Sequence, residues 1–237
     1  MSNILVCKNY TIKDHTKWYD DRTKEQSLVD NYKEMESVCI NSAKKHIKDL
    51  DEVKVFRGEA DNIRDVFKNN FYEIYELWKE GHNILYCDLD VVFIQPVEYF
   101  GQFEHFSMFN FTDPTSTVDD HFDIELDYYF NCGIRYYPQN MSQDVWDVGL
   151  EMMEDWNPDR WDTEQIIYNA MMWEQDISLE EMYKPDLAFQ ALMEPASHDV
   201  NIQFNNGLKI EDAKAVHVHG SRGSSSRLRT MSDLTNL

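Results

Sequence analysis

The strongest constraint on this chain is a ten-residue apolar run, Ile84-Leu85-Tyr86-Cys87-Asp88-Leu89-Asp90-Val91-Val92-Phe93, interrupted only by two aspartates. With Asn83 before it, the run reads as a strand buried on both faces. Two ionised carboxylates inside such a run are costly unless positive charge meets them. At i and i+2 of a strand they point to one face, and no Lys or Arg stands within several residues on either side. A divalent cation suits this setting. Hard oxygen ligands favour Mn²⁺ or Mg²⁺, with other coordination positions left for phosphate oxygens. The alternative is that the pair merely opens a turn after the strand, since a bare Asp-x-Asp is common.

The residues before this run supply its context. Ile4 to Cys7 reads as a first buried strand, left by a loop at Lys8-Asn9-Tyr10. A helix-compatible stretch runs from Lys24 to Ile47, and Val53 to Phe56 is a second strand ending at Arg57-Gly58. From Asp61 to Lys79, Ile63, Val66, Phe67, Phe71, Ile74, Tyr75 and Trp78 recur at helical spacing, with Asp61 or Asn62 as cap and Gly81 as stop. Strand, helix, strand, helix, strand predicts a parallel sheet wrapped by helices. Ligands bind such sheets at the carboxyl ends of the strands. Later strands are expected at Phe106 to Phe111, Tyr128 to Tyr137, Leu187 to Leu192 and Ala215 to His219. Helices are expected over Ser142 to Trp156, capped by Ser142, and Thr163 to Trp173. At 42% apolar and 14% aromatic, the 237 residues can bury a sizeable core, and no linker separates two domains.

Charge excludes some partners. With 22 basic and 44 acidic residues the net charge is −22, which repels phosphate backbones and anionic lipid. No nucleic-acid partner is expected, and no apolar run is long enough for a membrane span. Met1 to Tyr10 lacks the pattern of a signal peptide. The sequons at Asn9, Asn110 and Asn140 then read as chance matches. Cys7, Cys39, Cys87 and Cys132 lack CxxC spacing and read as reduced core thiols rather than zinc ligands.

Four segments, in order, carry a family resemblance. Asp88-Leu89-Asp90 resembles the DxD motif of GT-A nucleotide-diphospho-sugar transferases. Phe130-Asn131-Cys132-Gly133-Ile134 resembles the FNAG(V/I) strand of the retaining, glycogenin-like members, with Cys in place of Ala. Asp162-Thr163-Glu164-Gln165-Ile166-Ile167-Tyr168-Asn169 resembles their DQ-x-x-x-N helix start, and His217-Val218-His219-Gly220 their HxxG. The likeness spans nearly the whole chain and extends to short viral and bacterial members. It implies an α/β fold: a single GT-A (Rossmann-like) domain over residues 1–219, with a mixed central sheet flanked by helices. Residues 1–93 would form the nucleotide half and 94–219 the acceptor half, followed by a Gly/Ser/Arg-rich tail at 220–237. A cytoplasmic enzyme is implied, in the host cytoplasm if viral.

The resemblance also assigns residues. Asp88, Asp90 and His217 would hold Mn²⁺ or Mg²⁺, with His219 as the fallback third ligand. The family's diphosphate-binding Lys, three residues after the HxxG glycine, is replaced by Gly223. Arg222 beside it would take over that contact. Glu164, Gln165 and Asn131 would serve the donor sugar or the reaction centre. The donor itself would meet Asp88, with Tyr10 stacking on the base and Arg64 and Lys68 reaching phosphate or sugar hydroxyls. The bland readings are a capped helix start for Asp162, a solvated face for Arg64 and Lys68, ordinary packing for Tyr10, and an unstructured tail for Arg227 and Arg229. Trp146, Trp156, Trp161 and Trp173 offer stacking to an acceptor sugar or, more simply, core packing.

The activity these readings imply is transfer of a sugar from a UDP- or GDP-sugar to a hydroxyl of a glycan, protein or small molecule. Retention is implied by the resemblance; an inverting enzyme would need a base, with Glu164 the first candidate. Two alternatives compete. Asp88-Leu89-Asp90-Val91-Val92 nearly fits the first motif of haloacid-dehalogenase-like phosphatases, with Asp88 as nucleophile. A non-catalytic sugar-nucleotide-binding module is the other.

Overall fold

The computed structural model describes residues 1–13, 26–110, 130–155, 163–174, 179–181, 190–193, 202–203, 213–218 and 224–236. The first half follows the expected order: β1 (Asn3–Ile12), α1 (Gln26–His46), β2 (Glu52–Ala60), α2 (Ile63–Lys79) and β3 (Asn83–Cys87). β1 lies between β2 and β3, parallel to both. Alternation along the strands feeds two cores. Ile4, Val6, Ile84 and Tyr86 face one side with Phe71, Trp146 and Tyr168. Leu5, Cys7, Leu85 and Cys87 face the other with Met35, Cys39 and Ala43. This is the two-sided burial that an uninterrupted apolar strand requires.

Asn62 caps α2, its side-chain oxygen accepting the Asp65 N–H at 2.9 Å. Gly81 takes φ +95 just after the helix, a left-handed conformation that suits glycine. β1 and β2 run further than expected. The segment Lys8-Asn9-Tyr10, expected as a loop, continues β1, because Ile12 and Ala60 at the far end of the pair are buried against Val66 and Phe67 of α2.

The apolar run at 83–93 is not one strand. β3 ends at Cys87, Asp88 to Asp90 form a turn, and β4 (Val91–Phe93) enters a second sheet. Within the turn the Val91 N–H donates to the Asp88 carbonyl at 3.2 Å. The carboxylates are therefore neighbours through a tight turn, not through strand alternation. The main sheet has order β2-β1-β3-β6-β5-β7, completed by β5 (Phe106–Asn110), β6 (Phe130–Tyr137) and β7 (Leu179–Glu181). β6 is antiparallel to both β3 and β5, so the sheet is mixed. The second sheet has order β4-β10-β8-β9, with β8 (Gln190–Met193), β9 (Ile202–Gln203) and β10 (Ala215–His217).

α3 (Asp144–Asp155) and α4 (Thr163–Glu174) pack with α2 on the second core. Ser142 Oγ accepts the Asp144 N–H at 3.2 Å, but Gln143, whose carbonyl accepts the Asp147 N–H at 3.1 Å, holds the cap position expected for Ser142. Trp146 is wholly buried and stacks on Tyr137, so it packs the core rather than offering a sugar platform. Trp156 and Trp161 lie outside the described residues, as does the side chain of Trp173.

The Arg227 and Arg229 region is not an unstructured tail. Ser224–Leu234 forms α5, which packs on α1 and β4. Met231 and Leu234 are buried in the first core with Leu228 beside them, and this apolar face holds the helix down.

Candidate active site

Asp88 sits at the carboxyl end of β3, its backbone N–H donating to the Gly133 carbonyl of β6 at 2.8 Å. Asp90 is two residues on. β10 returns antiparallel to β4 with His217 opposite Val91. The Val218 N–H closes the pairing on the Asp90 carbonyl at 2.8 Å. Backbone pairing thus delivers the imidazole to the carboxylates. His217 Nε2 lies 3.0 Å from Asp90 Oδ1 and 3.9 Å from Asp88 Oδ2. Ligand atoms of all three residues lie within 4.8 Å of one another.

The other face of His217 is held by the strand motif. Asn131 Oδ1 accepts the Gly133 N–H at 2.9 Å, and Asn131 Nδ2 donates to Gln165 Oε1 at 3.2 Å. Those partners orient the amide, so Oδ1 is the atom 3.1 Å from His217 Nδ1 and accepts its proton. Nε2 is then the nitrogen that faces the carboxylates: it donates to Asp90 while protonated, and on losing that proton it would offer its lone pair to an ion, as a metal-ligating histidine requires. Gly133 is the only residue that fits between them. A Cβ there would lie 2.4 Å from His217 Cε1 and 2.9 Å from Asn131 Oδ1. Asn169 braces the same strand by pairing with both the N–H and the carbonyl of Phe130, each at 2.8 Å.

A buried ionic network adjoins this cluster. Glu164 Oε1 accepts from Arg135 Nη2 at 2.8 Å and from Asn70 Nδ2 at 3.1 Å, and Oε2 accepts from Lys8 Nζ. Arg135 is wholly buried, its guanidinium 3.9 Å from the Tyr86 ring centroid and 4.4 Å from that of Tyr168. The Tyr86 hydroxyl donates to Asp88 Oδ1 at 2.6 Å and joins the network to the cluster. Burial alone would raise the Glu164 pKa; Arg135 and Lys8 outweigh it and hold the carboxyl below its ordinary value.

Two cations that the sequence reading did not place at the aspartates change the charge balance. Arg227 Nη1 of α5 donates to Asp90 Oδ2 at 2.7 Å, and Lys8 lies close enough to stabilise ionised Asp88. Burial raises the Asp90 pKa, but His217 and Arg227 more than reverse this and keep its carboxyl well below the usual range. Asp88, partly buried beside Asp90, is shifted upward by its loss of solvent, with Lys8 and His217 opposing. Burial lowers the His217 pKa, but Asp90 outweighs it and the net shift is upward. The aspartates therefore do not need a divalent ion merely to be tolerated, which removes the burial argument for one. The donor set itself still fits such an ion, with two carboxylates and an oriented imidazole.

Arg64 and Lys68 are engaged elsewhere: Arg64 Nη2 donates to the Glu154 carbonyl at 3.0 Å, and Lys68 Nζ pairs with the Glu154 carboxylate at 2.6 Å. They join α2 to α3, because Glu154 in the last turn of α3 supplies both acceptors. The Tyr10 ring packs with Ile12, Val66 and Phe67, and its hydroxyl donates to Glu73. Arg222, His219 and Asp162 lie outside the described residues. Arg135 carried a readable signal, as a lone cation in the otherwise uncharged strand Phe130–Tyr137, which demands a buried acid. Arg227 stood out only with Arg222 and Arg229 as a basic cluster near Asp233, read either as a flap over the diphosphate or as an unstructured tail, and nothing in it named Asp90 as the partner. Cys7, Cys39 and Cys87 meet in the first core, with Cys87 Sγ 3.5 Å from each of the others; the described cysteines are all buried and unbridged.

No family model matches the chain, and no curated protein matches it. Solved structures do. A glycosyltransferase involved in glycosylation of the major capsid of PBCV-1 superposes over 98% of this chain and 100% of its own, at 9% identity and TM-score 0.55. The galactosyltransferase LgtC, solved with donor and acceptor sugar analogues, aligns over 98% of this chain and 95% of its own, at 12% identity and TM-score 0.53. The bifunctional glycosyltransferase WbbM matches at 12% identity and TM-score 0.59; the match covers 98% of this chain and half of WbbM. The chain has the GT-A glycosyltransferase fold.

Proposed function

We propose that this chain is a metal-dependent glycosyltransferase that moves a sugar from a UDP- or GDP-sugar to a hydroxyl acceptor with retention at the anomeric carbon. The observation that carries this reading is the convergence of Asp88, Asp90 and His217 at the carboxyl end of β3, with Nε2 aimed at both carboxylates. Fold similarity to glycosyltransferases supports it. Mn²⁺ or Mg²⁺ held by these three residues would neutralise charge gathering on the departing diphosphate. Asn131 acts on the site by fixing the His217 tautomer, and Gln165 by fixing Asn131. Glu164, with both oxygens engaged by cations, fits a positioning role better than that of a base. Arg222 would meet the diphosphate as the resemblance implies. In this reading the nucleotide lies at 1–93 and the acceptor at 94–219, and α5 belongs to the same domain because Met231 and Leu234 are buried in its first core. Among the described residues no helix is long and apolar enough to cross a membrane.

The test is a panel of UDP- and GDP-sugars with Mn²⁺ or Mg²⁺, reading released nucleoside diphosphate. Release with one donor, abolished by chelator, is the expected result. Phosphate trapped covalently on Asp88 would instead favour a phosphatase. Tight nucleotide binding without any turnover would favour a binding module.

Gly133→Ala tests the role of His217 separately. Its methyl group would push the imidazole out of place, and Mn²⁺ affinity should fall by about 10- to 100-fold. Electron paramagnetic resonance of free Mn²⁺ measures this; an unchanged affinity would remove His217 from the ligand set.

A further inference from the structure

We infer that Arg227 is an internal counter-ion which competes with the metal for Asp90, so that the site takes up a divalent ion and a diphosphate together rather than the ion alone. This rests on the reading that Asp88, Asp90 and His217 bind the ion. Both oxygens of Asp90 are engaged: Oδ1 by His217 Nε2 at 3.0 Å, and Oδ2 by Arg227 Nη1 at 2.7 Å. Asp88 differs, since Oδ1 accepts only a neutral Tyr86 hydroxyl and Oδ2 is 3.9 Å from the imidazole. An arriving cation therefore has to displace two contacts on Asp90; the imidazole belongs to the proposed ligand set, whereas the guanidinium does not and competes with the ion.

The placement of Arg227 lets that contact change without unfolding anything. It lies in the first turn of α5, while Met231 and Leu234 anchor the helix in the core further along. Its side chain is 22% exposed and long enough to swing by rotation about its own torsions. A nucleoside diphosphate supplies a new partner, because a guanidinium pairs with phosphate oxygens through two parallel hydrogen bonds. The ion alone must displace the guanidinium into water. The ion with a diphosphate passes it from one anion to another. By linkage, each ligand then raises affinity for the other by the same factor.

The experiment titrates Mn²⁺, followed by electron paramagnetic resonance, into the 237-residue chain and the variants Arg227→Met, Arg229→Met and Asp90→Asn. Without nucleotide, Arg227→Met is expected to bind Mn²⁺ about tenfold or more tightly than the parent, the scale of one hydrogen bond to a charged group. Arg229 is exposed on the same helix. Arg229→Met removes the same charge without the contact and should match the parent. With saturating UDP, and with GDP in parallel, the parent's affinity for Mn²⁺ should gain by a larger factor than that of Arg227→Met. If Arg227→Met melts early, Arg227→Gln replaces it. Equal Mn²⁺ affinity in the parent and the Arg227 variant overturns the inference. Failure of the underlying metal reading looks different: Asp90→Asn would bind Mn²⁺ as well as the parent, or no variant would bind it.

Discussion

Asp90→Asn is expected to lower sugar transfer by about 10²- to 10³-fold or more, the scale on which removal of one stabiliser of a departing anion is felt. The substitution keeps the shape of the side chain and removes its charge, so it would deprive the proposed divalent ion of one of its three protein ligands. The fold should survive. The Asp90 carbonyl still accepts the Val218 N–H. Of the two cations left behind, Arg227 can turn to water and His217 can lose its proton. The cost should stay near the ~1–3 kcal/mol of a hydrogen bond to a charged group, less than the stability of an ordinary domain. Steady-state transfer, Mn²⁺ titration and a thermal melt together decide the matter. Full activity with an intact melt would end the metal assignment.

Arg135→Ala should produce the largest loss of stability. Breaking a buried ion pair from one side costs about 3–5 kcal/mol, because the remaining charge is stranded. Here Glu164 keeps Lys8, which moderates the loss, but the stacking of the guanidinium between Tyr86 and Tyr168 is lost as well. Urea denaturation of the parent, Arg135→Ala and Arg135→Lys measures this. Lysine keeps the charge without the planar face and should fall between the other two. A loss under about 1 kcal/mol in the alanine variant would show that the network contributes little.

The same network sets an acid dependence. Glu164 titrates lower in the folded chain than its ordinary value of 4.5. Its stabilisation is therefore complete above that value and is lost as pH falls through the lower, folded one. Arg135→Ala should flatten this part of the acid profile, because the main opponent of burial is gone.

Much of this site was legible in the residues themselves. The Asp88–Asp90 pair was marked by its apolar flanks, the Asn131 strand, the Glu164–Gln165 helix start and His217 by resemblance to family motifs, and the fold joins all of them through contacts. Other readings failed for local reasons. The apolar residues on both sides of Asp88–Asp90 suggested one strand, yet two short strands in two sheets satisfy the same hydropathy, and alternation cannot tell them apart. Arg64 and Lys68 share a helix face as expected, but which acid faces them was settled by the packing of α3.

The sequence by itself determined the strand-helix order of the first half, through periodicity, and marked the Asp88–Asp90 pair by its apolar flanks; Asn131, Glu164, Gln165 and His217 were marked by family resemblance. Only the tertiary structure decided how those charges are balanced. Arg227 lies 137 positions from Asp90, and Lys8 lies 156 from Glu164. No local pattern encodes such pairings: they exist because the apolar face of α5 and the packing of α4 against β6 hold distant segments at hydrogen-bonding distance.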